Sequence, residues 1–290
     1  MAAIVYYLTL PLIYAISLLP FRAMYLLSDL MYLVLYRGIG YRTKVVRTNL
    51  ENSFPEKSAS EIQQIQDDFY RYFCDLILET LKTLTISPAT VKKRVIFKDI
   101  SAFEENYHKD QSVIIVMGHL GNWEMAGAGF SQFPYHQLYV IYHPLRSPYF
   151  DQLVYHMRTR LGNRLYAMKE TIKGMIRDKG MLTATAFIAD QTPSNPNYAY
   201  WTQFLNQDTP VFFGTAKIAR KLNYPIIYIS VTQPRRGYYE VDSELLIEDP
   251  KSLTEDEISE IHTRRLERDI QRNPHLWLWT HRRWKHKKPA

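Results

Sequence analysis

Beyond Pro88 the chain alternates short apolar runs with segments of helical periodicity, and this alternation limits the fold more than any other feature. The runs are Val95–Phe97, Val113–Met117, Leu138–Tyr142, Thr185–Ala189, Ile226–Val231 and Tyr238–Leu246. Helical stretches lie between most of them, near Trp123–Phe130, Pro148–Leu161, Thr171–Lys179 and Thr215–Leu222. Strands alternating with helices predict an α/β fold, a mixed sheet flanked by helices. Upstream, Ser58 and Glu61 make a Ser-x-x-Glu capping box ahead of Ile62, Ile65, Phe69, Phe73, Leu76, Ile77 and Leu81. That pattern predicts one long amphipathic helix ending near Leu84. A last helix is expected from about Thr254 to Asn273, with Ile258, Ile261, Leu266 and Ile270 on one face.

The first 36 residues read differently. From Met1 to Phe21 no side chain is charged. A helix of that length reaches about 30 Å, enough for a bilayer core, so an N-terminal apolar membrane helix is expected. Positive charge follows the run, which predicts that the rest of the chain faces the cytoplasm. A second apolar stretch, Ala23 to Tyr36, carries Asp29 and reads as a helix lying in the membrane interface. Residues 1–36 are thus expected to form a membrane anchor or interfacial segment, and residues 37–290 the main domain.

Charge placement supports a membrane partner over nucleic acid. The 290 residues carry 36 Lys+Arg against 29 Asp+Glu, a net charge of +7. Arg37, Arg42, Lys44 and Arg47 supply +4, and Arg282, Arg283, Lys285, Lys287 and Lys288 supply +5, so the remainder nets −2. A basic patch beside an apolar segment fits an anionic membrane surface. The second patch reads as a solvated tail. No nucleic-acid-binding motif or broad basic face is visible. One cysteine, Cys74, excludes a disulfide framework and any Cys-based zinc site.

Several catalytic motifs are absent: no Gly-x-Ser-x-Gly elbow, Walker loop, Gly-x-Gly-x-x-Gly or His-Glu-x-x-His occurs. The segment that remains is Val113 to Glu124. A buried strand ends at Gly118, His119 sits on the turn, and Glu124 falls in the first turn of a helix. Strand ends of this kind are where α/β enzymes place their sites. The turn can fold His119 over the first carboxylate, so Glu124 is expected to hold the imidazole and leave the other ring nitrogen as general base. The same spacing recurs at His262 and Glu267, inside the final helix, where the two cannot converge; that pair reads as a solvated face.

Gly118-His119-Leu120-Gly121-Asn122-Trp123-Glu124 resembles the signature of the lipid A biosynthesis late acyltransferases, the lauroyl/myristoyl acyltransferase family. The similarity extends over nearly the whole chain. Leu18-Leu19-Pro20 and Asn49-Leu50-Glu51-Asn52-Ser53-Phe54-Pro55 resemble the family's start. Tyr142-His143-Pro144-Leu145, Asp190-Gln191 and Trp279-Thr280-His281-Arg282-Arg283-Trp284-Lys285 resemble its middle and end. The resemblance implies catalytic roles for His119 and Glu124 and, by position, for Arg158 and Asp190; Arg160 and Arg164 stand close to Arg158. Two departures touch specificity: His143 stands where the family has arginine, and Asn206 where it has glycine.

What the resemblance implies is acyl transfer from acyl carrier protein to a hydroxyl of a lipid A precursor, at the cytoplasmic face of the bacterial inner membrane. No metal or cofactor is required. Arg158 would stabilise developing charge or bind a phosphate. Another glycolipid or aminolipid acceptor, and a hydrolase using the same His–Glu pair, remain open alternatives at this level.

Overall fold

The computed structural model describes residues 2–288. Two apolar helices come first, α1 (Ala2–Leu18) and α2 (Phe21–Tyr32), the latter running on into a π-helical turn, Leu33–Gly38. Then follow α3 (Thr43–Ser53), α4 (Ala59–Lys82) and α5 (Pro88–Arg94). Next come β1 (Val95–Asp99), α6 (Ser101–His108), β2 (Val113–Met117), α7 (Trp123–Phe130) and β3 (Gln137–Tyr142). The chain continues through α8 (Pro148–Thr159), β4 (Arg164–Ala167), α9 (Thr171–Arg177) and β5 (Thr183–Ile188). A hairpin, β6 (Ala199–Phe204) and β7 (Gln207–Phe212), leads to α10 (Gly214–Leu222), β8 (Ile226–Arg235), β9 (Tyr238–Ile247) and α11 (Glu255–Arg272).

Seven strands form one sheet in the order β1-β9-β8-β2-β5-β3-β4. It is mixed: β8 and β9 pair antiparallel, β9 and β1 parallel, and the remaining pairs are parallel. β2 lies at the centre and all five of its residues are buried. Val113, Ile115 and Met117 pack towards α7 together with Phe103, Met125 and Phe130. Ile114 and Val116 pack on the opposite face with Ala216, Ala219 and Ile258 of α10 and α11. A strand covered on both sides has to be apolar at every position, which is how Val-Ile-Ile-Val-Met reads. The capping boxes at Ser58/Glu61 and Thr254/Glu257 both form and start α4 and α11.

The spanning helix expected at the N-terminus does not form. The run from Met1 to Phe21 is broken before Pro20, whose extended backbone (φ −56°, ψ 146°) separates α1 from α2. The 17 residues of α1 reach only about 26 Å. Among the described residues no helix is long and apolar enough to cross a membrane. Instead α1 lies against the domain: Tyr6 meets Tyr149 and Phe150 of α8, and Lys82 Nζ donates to the carbonyls of Ser17 and Leu19. α2 buries Met24, Ser28 and Tyr32 while Leu26 and Leu30 stay exposed; α1 leaves Ile4, Leu8 and Leu12 exposed.

The basic patch after α2 is less free than its sequence suggests. Arg37 pairs with Asp67 at 2.9 Å, Arg47 with Glu51 at 2.6 Å, and Arg42 donates to the Thr280 carbonyl at 2.8 Å. The C-terminal tail is not simply solvated either: Arg283 is buried.

Candidate active site

His119 stands where β2 gives way to α7, at the carboxyl end of the central strand. Three glycine-dependent or capping features shape the turn. Gly121 has φ +64°, and a Cβ there would meet the Val231 side chain and carbonyl at 2.6 and 2.7 Å, so only glycine fits. Tyr72 Oη donates to the Gly121 carbonyl at 2.6 Å, and Gly121 N donates to the Leu276 carbonyl at 3.0 Å. Asn122 caps α7 by accepting from Met125 N, and its Nδ2 donates to the buried Glu79 at 2.7 Å.

The imidazole is held by Asp190, which follows β5, the neighbour of β2. His119 Nδ1 lies 2.6 Å from Asp190 Oδ1, and the His119 backbone N donates to Oδ2 at 2.7 Å. Trp277 Nε1 also donates to Oδ2 at 2.7 Å. Burial alone would raise the pKa of Asp190, but the facing imidazole and the three donors outweigh it and hold it at about 2. An ionised Asp190 accepts from Nδ1–H, which leaves the lone pair of His119 Nε2 pointing elsewhere. Trp123 packs edge-on against the ring at 4.9 Å. Gln191 Nε2 lies 3.4 Å from His119 Nε2, at the same mouth.

Contrary to what the spacing predicted, Glu124 does not hold His119. It takes Arg158 instead: Arg158 Nε donates to both carboxylate oxygens at 3.0 and 3.1 Å, and Nη2 adds a further bond to Oε1. Glu124 is one residue into α7, and its side chain turns toward α8 rather than back over the turn. Burial opposes the Arg158 charge, yet its pairing with Glu124 raises its pKa above the ordinary value. With its carboxylate partner on two of its nitrogens, Arg158 is a clamp between α7 and α8 more than a free phosphate ligand. Its neighbours are occupied elsewhere: Arg160 donates to the carbonyls of Thr83 and Ile86, and Arg164 to Tyr139 Oη.

Both pairs open on one cavity of about 550 Å³ lying between α7 and the sheet. Its mouth carries His119, Glu124, Arg158 and Gln191, with Tyr142 and His143 beside them; its depth is lined by Ile115, Ala126, Phe130, Leu138 and Ala186. Volumes of about 300–1,000 Å³ are usual for ligand sites. The small residues Ala126, Gly127 and Ala186 leave the room that larger side chains would fill.

His262 and Glu267 fall differently from the sequence, and the structure gives Trp277 and Asn206 a place. His262 is not on a solvated face but 3% exposed, and burial takes its pKa down to about 4. Glu267 turns away to accept from Leu205 N. Trp277 does more than pack, since it fixes Asp190; nothing local in the sequence marks that contact, which joins positions 87 apart. Asn206 sits at φ +61° beside Leu205 at φ +50° in the β6–β7 turn, a left-handed position that asparagine tolerates in place of glycine.

Fold and site together define an α/β protein with a histidine–carboxylate dyad at the mouth of a deep apolar cavity. The family model for bacterial lipid A biosynthesis acyltransferase matches residues 1–286, and the chain belongs to that family. It is 26% identical over 163 residues to Lipid A biosynthesis acyltransferase 2 of Shigella flexneri, a match covering 54% of this chain and 49% of that protein. The aligned segment thus spans about half the length of the curated relative.

Proposed function

We propose that this protein transfers a fatty acyl group from an acyl carrier protein thioester to a hydroxyl of a lipid A precursor. What supports the reading is the His119–Asp190 dyad placed where a 550 Å³ apolar cavity opens, in a chain of this family. The acyl chain would lie in the cavity with its thioester carbonyl at the mouth. His119 Nε2 takes the acceptor's hydroxyl proton as that oxygen bonds to the thioester carbon. The carbon–sulfur bond then breaks, and the imidazolium returns the proton to the departing sulfur. Asp190 holds the ring and stabilises the imidazolium. Proton transfer by a placed side chain contributes about 10²–10⁴-fold.

Membrane association belongs to the same proposal, now without a spanning helix. Ile4, Leu8, Leu12, Leu26 and Leu30 are exposed on α1 and α2, and such faces suit helices lying in the interface of the inner membrane's cytoplasmic leaflet. The test of the reaction is purified His119→Ala given acyl carrier protein donor and lipid A precursor. A loss of at least 100-fold in transfer rate is expected; transfer at the wild-type rate removes His119 from the mechanism.

A further inference from the structure

A second, much smaller cavity lies on the α11 face of the sheet, against the far side of Asp190. It encloses about 10 Å³, close to the least that one water molecule needs. Asp190, His262, Thr263 and Arg283 share its wall. Arg283 is 2% exposed. Its Nη2 donates to the Pro210 carbonyl at 2.7 Å, while its Nε and Nη1 are buried without a protein partner. His262 Nε2 is buried without one as well. A guanidinium taken this far from water needs an opposing charge. The carboxylate sharing its cavity is Asp190. Burial takes Arg283 down to about 10, and Asp190 opposes that fall, so it keeps its proton at neutral pH.

An unopposed buried carboxylate against an imidazole favours the imidazolium, which cannot act as a base. A fixed positive charge on the other side of the carboxylate counters that bias. We infer that Arg283 is a positioning residue for acyl transfer, setting the proton affinity of the His119–Asp190 dyad from behind, with one water in the small cavity joining its guanidinium to His262. This rests on the reaction proposed above. Arg283 touches neither substrate nor the reacting atoms; it acts through Asp190.

In front of the dyad stand Glu124 on α7, paired with Arg158 on α8, and His143 after β3 at the cavity mouth. His262 on α11 and His281 on the C-terminal segment are both held neutral by burial, at about 4. Burial pushes Tyr72 on α4 and Tyr228 on β8 well above the usual range. Lys285 acts on His281. The proposed reaction needs an unprotonated His119 Nε2, so the acid limb is assigned to the dyad, and the same profile in His143→Gln separates the two histidines.

The experiment is the pH profile of kcat and kcat/KM for the full chain, with thermal midpoints measured alongside. In Arg283→Gln the acid limb moves up by about one pH unit, with KM unchanged and the alkaline plateau of kcat kept within a few fold. Arg283→Lys, which keeps the charge, returns the limb most of the way. Thr263→Asp sets a carboxylate against the guanidinium in the same cavity, and it moves the limb upward even if Arg283→Gln fails to fold. A purely packing role for Arg283 lowers the midpoint and leaves the limb where it was; an unmoved limb in folded Arg283→Gln or Thr263→Asp overturns the assignment. If His119→Ala is inactive and the limb is still unmoved, only the assignment of Arg283 fails; if His119→Ala transfers normally, the reaction itself is misread.

Discussion

Replacing Asp190 by asparagine exchanges one oxygen for an amide nitrogen at nearly constant volume. The two carboxylate oxygens accept from three donors: Oδ1 from His119 Nδ1, and Oδ2 from His119 N and Trp277 Nε1. An asparagine has one acceptor. With its oxygen kept at the position that serves two donors, its NH₂ faces Nδ1, which must then give up its proton, and the proton moves to Nε2. That tautomer has no lone pair where the acceptor hydroxyl arrives. The reverse orientation sets the NH₂ against two N–H groups. The first arrangement is the cheaper, and kcat is expected to fall about 10³–10⁴-fold, with KM little altered because Asp190 lies behind the imidazole. Stability falls as well. Asp190 is held at about 2 against an ordinary 3.8, which at about 1.36 kcal/mol per unit is worth about 2 kcal/mol. Because the folded value is depressed, that contribution is fully present above pH 4 and is lost as pH falls through about 2. Asp190→Asn forfeits it already at neutral pH. Steady-state acyl transfer and denaturant midpoints check both parts; wild-type kcat in a folded Asp190→Asn protein refutes the assignment of Asp190 to the imidazole.

Three more outcomes follow from the same geometry. Glu124→Gln and Arg158→Met each strand a charged partner that is largely buried, so each is expected to cost about 3 kcal/mol in urea unfolding, while the double variant costs less than their sum. Gly121→Ala combines a left-handed backbone with a clash against Val231 and should lose about 2–5 kcal/mol, read from its thermal midpoint; an unchanged midpoint contradicts the close approach described for this turn. Ala186→Leu narrows the deep part of the large cavity and should shift donor preference toward shorter chains, by about fourfold in kcat/KM per methylene excluded, since each is worth about 0.8 kcal/mol. A ladder of acyl donors of increasing length measures that shift.

Much of the fold is legible where local pattern and burial agree. Val113–Met117 and Trp123–Phe130 emerge with the bounds their apolar pattern predicts, because β2 is covered on both faces and Asn122 caps α7. The hairpin β6–β7 is not legible: Tyr200, Trp201, Thr202 and Gln203 alternate weakly, Pro210 lies inside β7, and the turn is Leu205-Asn206 rather than a glycine pair. β4 is four residues long and begins on a charged Arg164. The candidate site shows the same division. His119 is marked by the strand end and flanking glycines, but its partner is chosen by sheet order, which sets β5 beside β2 and brings up a carboxylate 71 residues away. Local spacing favoured Glu124, only five residues on, and Arg158 drew that carboxylate off. Arg283 looked like tail charge because a basic run carries no record of which member turns inward.

Product analysis distinguishes acyl transfer to the lipid from hydrolysis of the thioester. Purified protein is incubated with labelled acyl carrier protein thioester and lipid A precursor, and the lipid is mapped by mass spectrometry. One acyl chain gained as an ester on the precursor, and lost with His119→Ala, is the predicted result. Label recovered as free fatty acid with the precursor unchanged, or an equal gain with His119→Ala, contradicts it.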